Sequence, residues 1–367
     1  MSKARQLADL GNVYDDGALS NRNMVVNGGM TVNQRGDVTG KTNTGTYGGP
    51  DRFALQTVSS GTWSISQSST APEGFANSYK LDCTTANASL AAGAYLYAQT
   101  ILEGQNLQQL KKGTANALPV TLSFWVRSNK TGTYTVALRD VDNSRHIAST
   151  YTISVADTWE YKTITYAGDT TGAFTNDNNA SLHVNFWLGA GTNFTSGTIS
   201  TSWASLSDAN RVSSSNVNLA DNTANDWYLT GVQLEIGDTA TPFEHRSYGD
   251  ELQRCQRYFN RYKTEGGFAL IVPSINGGTT NARCALALST KLRTTPTITS
   301  SSSDAILIRN NGSFTTYAST AIGLGSEQQI EPNFVALSVS VASGLTSASV
   351  NIPYINSNGY IDCDAEL

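Results

Sequence analysis

In TLSFWVRS, Leu122, Phe124 and Val126 fall on one side of an alternating run, which leaves Ser123, Trp125 and Arg127 on the other. SLHVNFWLG has the same arrangement, with Leu182, Val184, Phe186 and Leu188 alternating with His183, Asn185 and Trp187. If the aliphatic sides make a core, the opposite sides present flat indole rings among guanidinium, imidazole and amide groups. A sugar has apolar C–H faces and hydroxyl edges, so rings mixed with hydrogen-bonding side chains suit it. Trp125, Arg127, His183, Asn185 and Trp187 are therefore candidate glycan-binding residues. The competing expectation is that the polar stretch 190–225, or a neighbouring subunit, covers Trp125 and Trp187.

A second constellation is Arg139, Asp140, Val141, Asp142 and Asn143, with His146 close behind. Alternation puts Asp140 and Asp142 on the same side of a strand, where two carboxylates could flank a glycosidic bond or hold Ca²⁺. The simpler expectation is that Asp142 and Asn143 make a turn, since hairpins select these residues for backbone reasons. The three histidines, His146, His183 and His245, are isolated from one another. No zinc motif, nucleophile elbow or phosphate loop occurs in a usable context, so no catalytic residue, metal or cofactor is expected.

The elements that must position these residues are short strands between Gly, Asn, Asp and Ser punctuation, from about residue 22 to 243. About ten strands in such a length suit a two-sheet jelly roll. TYTVALRDVDNSRHIASTYTISV reads as one hairpin turning at Asp142–Ser144, and MVVNGGMTVNQ reads as a strand. In TGVQLEIG, Val232, Leu234 and Ile236 alternate with Gln233 and Glu235. The period then changes: Tyr248, Leu252, Cys255, Phe259 and Tyr262 recur at helical spacing, with Ser247 and Asp250 placed as an N-cap. This stripe packs either on its own sandwich or against two further copies at a fibre axis. Strand patterns return after it.

The expected architecture is all-β: a docking segment 1–21, a jelly-roll β-sandwich 22–244, a short connector helix 245–263 and a second, smaller β-sandwich 264–367. Charged residues make up 14% of the 367, with a net charge of −5, so the exposed positions are mostly hydroxyls and amides. With no basic stripe, nucleic acid is not an expected partner. No apolar run reaches the length of a membrane span, so membrane insertion is not expected either. Cys83, Cys255, Cys284 and Cys363 are too scattered for a disulfide scaffold and read as buried thiols.

NRNMVVNGGMTVNQRG, YGGPDRFAL, VTLSFWVRS and above all GVQLEIGDTATPFEHRSYGDELQRCQRYF resemble tail-fibre and receptor-binding proteins of tailed bacteriophages, in particular podoviruses of marine bacteria and cyanobacteria. The resemblance covers roughly residues 1 to 263. It implies a virion tail component, made in the host cytoplasm, that is usually a homotrimer and is anchored to other tail proteins through its N-terminal segment. It also implies a jelly roll similar to carbohydrate-binding modules, in which the strands around Val26 and Leu234 are neighbours in one sheet. A host-surface polysaccharide is the implied ligand, and no catalytic residues travel with the likeness. The rival expectations are a purely structural fibre adaptor or head decoration, and a polysaccharide depolymerase using Asp140 and Asp142.

Overall fold

The computed structural model describes residues 21–264, 269–272, 274–310, 315–325, 334–357 and 359–367. The expected docking segment therefore lies outside the described residues up to position 20. The chain divides into two compact units, the first running to Glu251 and taking in Leu367, the second comprising Leu252–Glu366.

The first unit is built from β1 (Val38–Lys41), β2 (Thr46–Tyr47), β3 (Ala54–Val58), β4 (Thr62–Ser68), β5 (Ser78–Thr85), β6 (Tyr95–Glu103), β7 (Val120–Ser128), β8 (Gly132–Asp140), β9 (Arg145–Ile153), β10 (Glu160–Tyr166), β11 (Ala180–Ala190), β12 (Ala204–Ser205) and β13 (Asp226–Ile236). They form a six-stranded sheet in the order β1-β4-β5-β13-β7-β10 and a seven-stranded sheet in the order β12-β9-β8-β11-β6-β3-β2. This is a two-sheet jelly roll. The alternation in the sequence decides which side chains lie between the sheets. Leu122, Phe124 and Val126 of β7 are fully buried, as are Val184, Phe186 and Leu188 of β11. The Phe124 and Phe186 rings meet edge to face across the sandwich, with centroids 5.1 Å apart. Each such side chain contributes about 1.5–3 kcal/mol by leaving water.

The Asn-rich opening is not a strand, contrary to its pattern. Asn27 and Met30 have φ of 60° and 56°, so the chain coils instead of extending. It nevertheless lies along β13, where Met24 N donates to the Leu234 carbonyl and Val232 N donates to the Gly28 carbonyl, each at 2.9 Å. Side chains complete what a regular ladder would have supplied. Asn23 Nδ2 donates to the Val232 carbonyl at 3.0 Å, and Asn23 Oδ1 accepts from Leu234 N at 3.1 Å. Asn27 Nδ2 donates to the carbonyls of Val32 and Asp51, both at 2.9 Å. A Cβ on Gly28 would sit 2.0 Å from the Val232 carbonyl oxygen, so only glycine allows this approach.

The segment after β13 turns back over the same place. Gln233 and Glu235, expected on the open side of a half-buried strand, are 0% and 2% exposed. Glu235 accepts from Thr241 N at 2.9 Å and Thr241 Oγ1 at 2.6 Å, while Gln233 Oε1 accepts from Glu244 N at 2.8 Å. Glu244 in turn accepts from the Asn23 backbone N at 2.8 Å, and Arg246 donates to the Val25 carbonyl at 3.2 Å. The motif TPFEHR is thus a clasp that holds the opening segment against β13.

The helix spans Tyr248–Gln256 and begins as its cap predicts, with Asp250 N donating to Ser247 Oγ at 3.2 Å. It is shorter than the expected 245–263. Tyr258 N closes a turn onto the Cys255 carbonyl at 2.9 Å, Asn260 Nδ2 caps the Gln256 carbonyl at 2.6 Å, and Phe259–Lys263 becomes a strand. In the second unit that strand pairs with Tyr360–Asp364, which also pairs with Thr297–Ser300. A separate seven-stranded sheet packs Val335, Leu337 and Val339 with Ile306 and Ile308 in a second core, making the smaller β-sandwich.

Candidate functional site

β11 lies in the middle of the seven-stranded sheet, between β6 and β8, and its odd-numbered side chains face outward. Antiparallel register aligns them in rows across the strands. One row runs Ile101, His183, Arg139, His146. The next runs Gln99, Asn185, Ala137, Ala148, and the third runs Tyr97, Trp187, Thr135, Thr150. The middle row is low because two of its members are alanines, so polar side chains of the first row face the aromatic rings of the third.

The long polar stretch roofs part of this face. Val212, Phe194 and Ile199 pack on Tyr97, Ala137, Ala148 and Trp187. The roof is held by Ala148 N donating to the Ser200 carbonyl at 2.7 Å and Ser213 N donating to Thr135 Oγ1 at 3.2 Å. The Arg211 guanidinium lies 4.9 Å from the centroid of the Trp187 indole and pairs with Asp208 at 3.2 Å. Trp187 is consequently 0% exposed. Its expected role as an open stacking platform is corrected: the chain's own loop covers the ring.

On the same face, several buried polar atoms have no hydrogen-bond partner among the described residues. They are His146 Nε2, His183 Nε2, Asn185 Oδ1, Trp187 Nε1 and Arg139 Nε. Asn185 and His146 are each 1% exposed. A buried polar group without a partner costs about 1–3 kcal/mol, so such a cluster on one face is what an incoming polar ligand would relieve. Gln99 Nε2 lies 3.2 Å from His183 Nδ1 and donates to it, which leaves the proton of the neutral ring on Nε2.

The electrostatics agree. Burial, followed by Arg139 and Arg211, lowers the His183 pKa from its ordinary 6.5 to about 4. Burial, then Arg211 and Arg139, also lowers His146. Burial and the neighbouring Arg211 lower Arg139. The face thus carries guanidinium charge and two neutral imidazoles near pH 7.

Trp125 and Arg127 are not part of this arrangement. They belong to β7 and lie on the outer face of the other sheet, so the five candidate residues are divided between opposite sides of the sandwich. Trp125 is half-buried beside Tyr161, with ring centroids 5.3 Å apart. Arg127 donates to Asp157 at 2.8 Å and lies 4.8 Å from the Tyr228 ring centroid. Periodicity identified the faces of each strand but not that the two strands belong to different sheets.

The carboxylate pair is also separated. Asp140 points inward, is 0% exposed, and pairs with Lys112 at 2.5 Å, while Lys112 reaches Asp169 at 3.1 Å and Arg145 reaches Asp169 at 2.6 Å. Asp142 lies in the turn and accepts from Thr175 N at 2.9 Å and Thr175 Oγ1 at 3.1 Å. Both have structural duties. Arg139, next to Asp140, is on the outer side, between His183 and His146 in register. The signal was present: Ala137 and Arg139 alternate with Val136, Leu138 and Asp140.

The helical stripe does not persist as one surface. Tyr248 is 61% exposed and Cys255 1% exposed. Leu252 is half-buried between them in sequence, and Phe259 and Tyr262 belong to the strand that follows. Positions spaced by three and four residues matched the pattern beyond the point where the helix stops.

No protein-family model matches the chain, and comparison with curated proteins also gives no match. Among solved structures, a putative sugar binding protein from Bacteroides thetaiotaomicron aligns with 59% of this chain and 100% of its own, at 11% identity and a TM-score of 0.32. The family 11 carbohydrate-binding module of the cellulosomal cellulase Lic26A-Cel5E of Clostridium thermocellum aligns with 56% of this chain and 98% of its own, at 12% identity and a TM-score of 0.27. The enzymatically active domain of bacteriophage CBA120 tailspike protein 4 aligns with 59% of this chain at 16% identity and a TM-score of 0.30. This chain spans 22% of the tailspike domain's length.

Proposed function

We propose that the protein is an adhesin of a phage tail fibre, binding a host-surface saccharide without breaking bonds, on the outer face of the seven-stranded sheet. The observation that carries the binding reading is the group of unpartnered buried atoms on that face, above all Asn185 Oδ1 and His146 Nε2. A saccharide hydroxyl both donates and accepts, so it satisfies the Asn185 amide oxygen and the His183 Nε2–H together. Tyr95, half-buried on the same strand, supplies ring surface for C–H faces.

The tail-fibre setting is supported by the sequence resemblance over residues 1 to 263. Attachment to other tail proteins through the N-terminal segment and assembly as a homotrimer belong to the same proposal. Several weak sites on one particle would then gain affinity through effective concentration.

The test is Asn185→Leu, measured for retention on a glycan array and for thermal stability. Loss of retention with an unchanged or raised melting temperature is expected, because an apolar side chain removes a buried orphan acceptor. Retention equal to that of the unaltered protein would refute the assignment of this face.

A further inference from the structure

We infer that this face takes an acidic saccharide, whose carboxylate is held at the guanidinium of Arg139 beside that of Arg211. The inference rests on the saccharide reading above and adds the chemical class of the ligand.

Arg139 is half-buried and has no hydrogen bond or ion pair to its side chain among the described residues. Every other described arginine of this unit has a hydrogen-bond, ionic or ring partner: Arg127 has Asp157, Arg145 has Asp169, and Arg52 donates to the Ile101 carbonyl at 2.7 Å. The carboxylates in the neighbourhood are committed elsewhere. Asp140 follows Arg139 directly but points through the sheet to Lys112, and Asp169 is shared by Lys112 and Arg145. Asp208, with its side chain 64% exposed, pairs with Arg211.

The Arg211 guanidinium repels that of Arg139 in a partly desolvated place, and among the described residues Asp208 is the nearby carboxylate that offsets it. An arriving anion relieves that repulsion. A carboxylate matches the planar fork of arginine, which accepts it through two parallel N–H donors. The flanking groups are neutral and suit the rest of a sugar: the His183 Nε2–H is a free donor, and Asn185 Oδ1 is a free acceptor for a hydroxyl. His146, 1% exposed and opposite Arg139 in register, places a further unpartnered nitrogen at the same spot.

The experiment probes the full chain on an array carrying uronate-bearing, sialate-bearing and neutral oligosaccharides, alongside Arg139→Gln. The expected result is retention of carboxylate-bearing glycans that weakens at least tenfold in Arg139→Gln and falls with added salt. The melting temperature of the variant should be unchanged or higher, because a like-charge contact is removed. Retention of neutral glycans that is indifferent to Arg139→Gln overturns the acidic class and leaves the saccharide reading standing. No retention of any glycan by the unaltered protein overturns both.

Discussion

His183 and His146 show how one strand position is given a chemical character by its surroundings. Each is an outward residue on its strand, yet the roofing loop and the two nearby arginines make protonation unfavourable. The folded His183 takes a proton only near pH 4, whereas an unperturbed imidazole takes one near 6.5. Between these values the unfolded chain binds more protons, so stability is fully present above this window and falls as the pH drops through it. His146 shifts in the same direction. Melting temperatures recorded from pH 7.5 to 4 should fall through this window, and the fall should flatten in His146→Gln/His183→Gln. An undiminished slope in the double variant would show that the folded site protonates these rings freely. The thiols are a second case at this scale: burial pushes Cys83 up to about 11 and Cys284 and Cys363 up to about 12, as inert interior cysteines should be.

Among the elements, the opening segment has the clearest structural consequence. It gives up strand geometry at Asn27 and Met30 and is instead fastened to β13 by asparagine side chains, then clasped by Gln233, Glu244 and Arg246. Glu251 adds to this by accepting from Asn27 N at 2.5 Å. Gly28→Ala places a methyl group against the Val232 carbonyl. It should destabilise the first unit by about 1–3 kcal/mol, as other overpacking changes do. A chemical denaturation curve superimposable on that of the parent protein would mean that the segment adjusts without cost. The buried Asp140–Lys112 pair offers a comparable test. Asp140→Ala leaves the buried Lys112 ammonium with Asp169 and the carbonyls of Thr171 and Gly172, so it should cost about 2 kcal/mol, the loss of one charged hydrogen bond, measured in the same way.

For the whole molecule, two separately cored β units follow one another along a single chain, and the first carries the proposed binding face. The proposed fibre assembly predicts a solution mass three times the 39.1 kDa chain mass. Light scattering at dilutions where a weak contact would dissociate checks this, and a single-chain mass would remove the trimer. Avidity makes a related prediction: glycan retention by a separated single chain should fall far more than in proportion to site number.

Alternation by itself fixed the all-β class, the inward faces of β7 and β11, and the Asp142–Ser144 hairpin, because a period of two is a local property that burial of one sheet face enforces. The cap at Ser247 was equally local. Only the tertiary structure decided that β7 and β11 lie in different sheets, that residues 190–225 roof Trp187, and that the opening asparagines brace β13 without forming a strand. Each of these depends on contacts between residues far apart in sequence, which no local period records. The proposed binding face follows the same division: the sequence named His183 and Asn185, and the fold brought Arg139 and His146 to them across the sheet and Arg211 over them on the roofing loop.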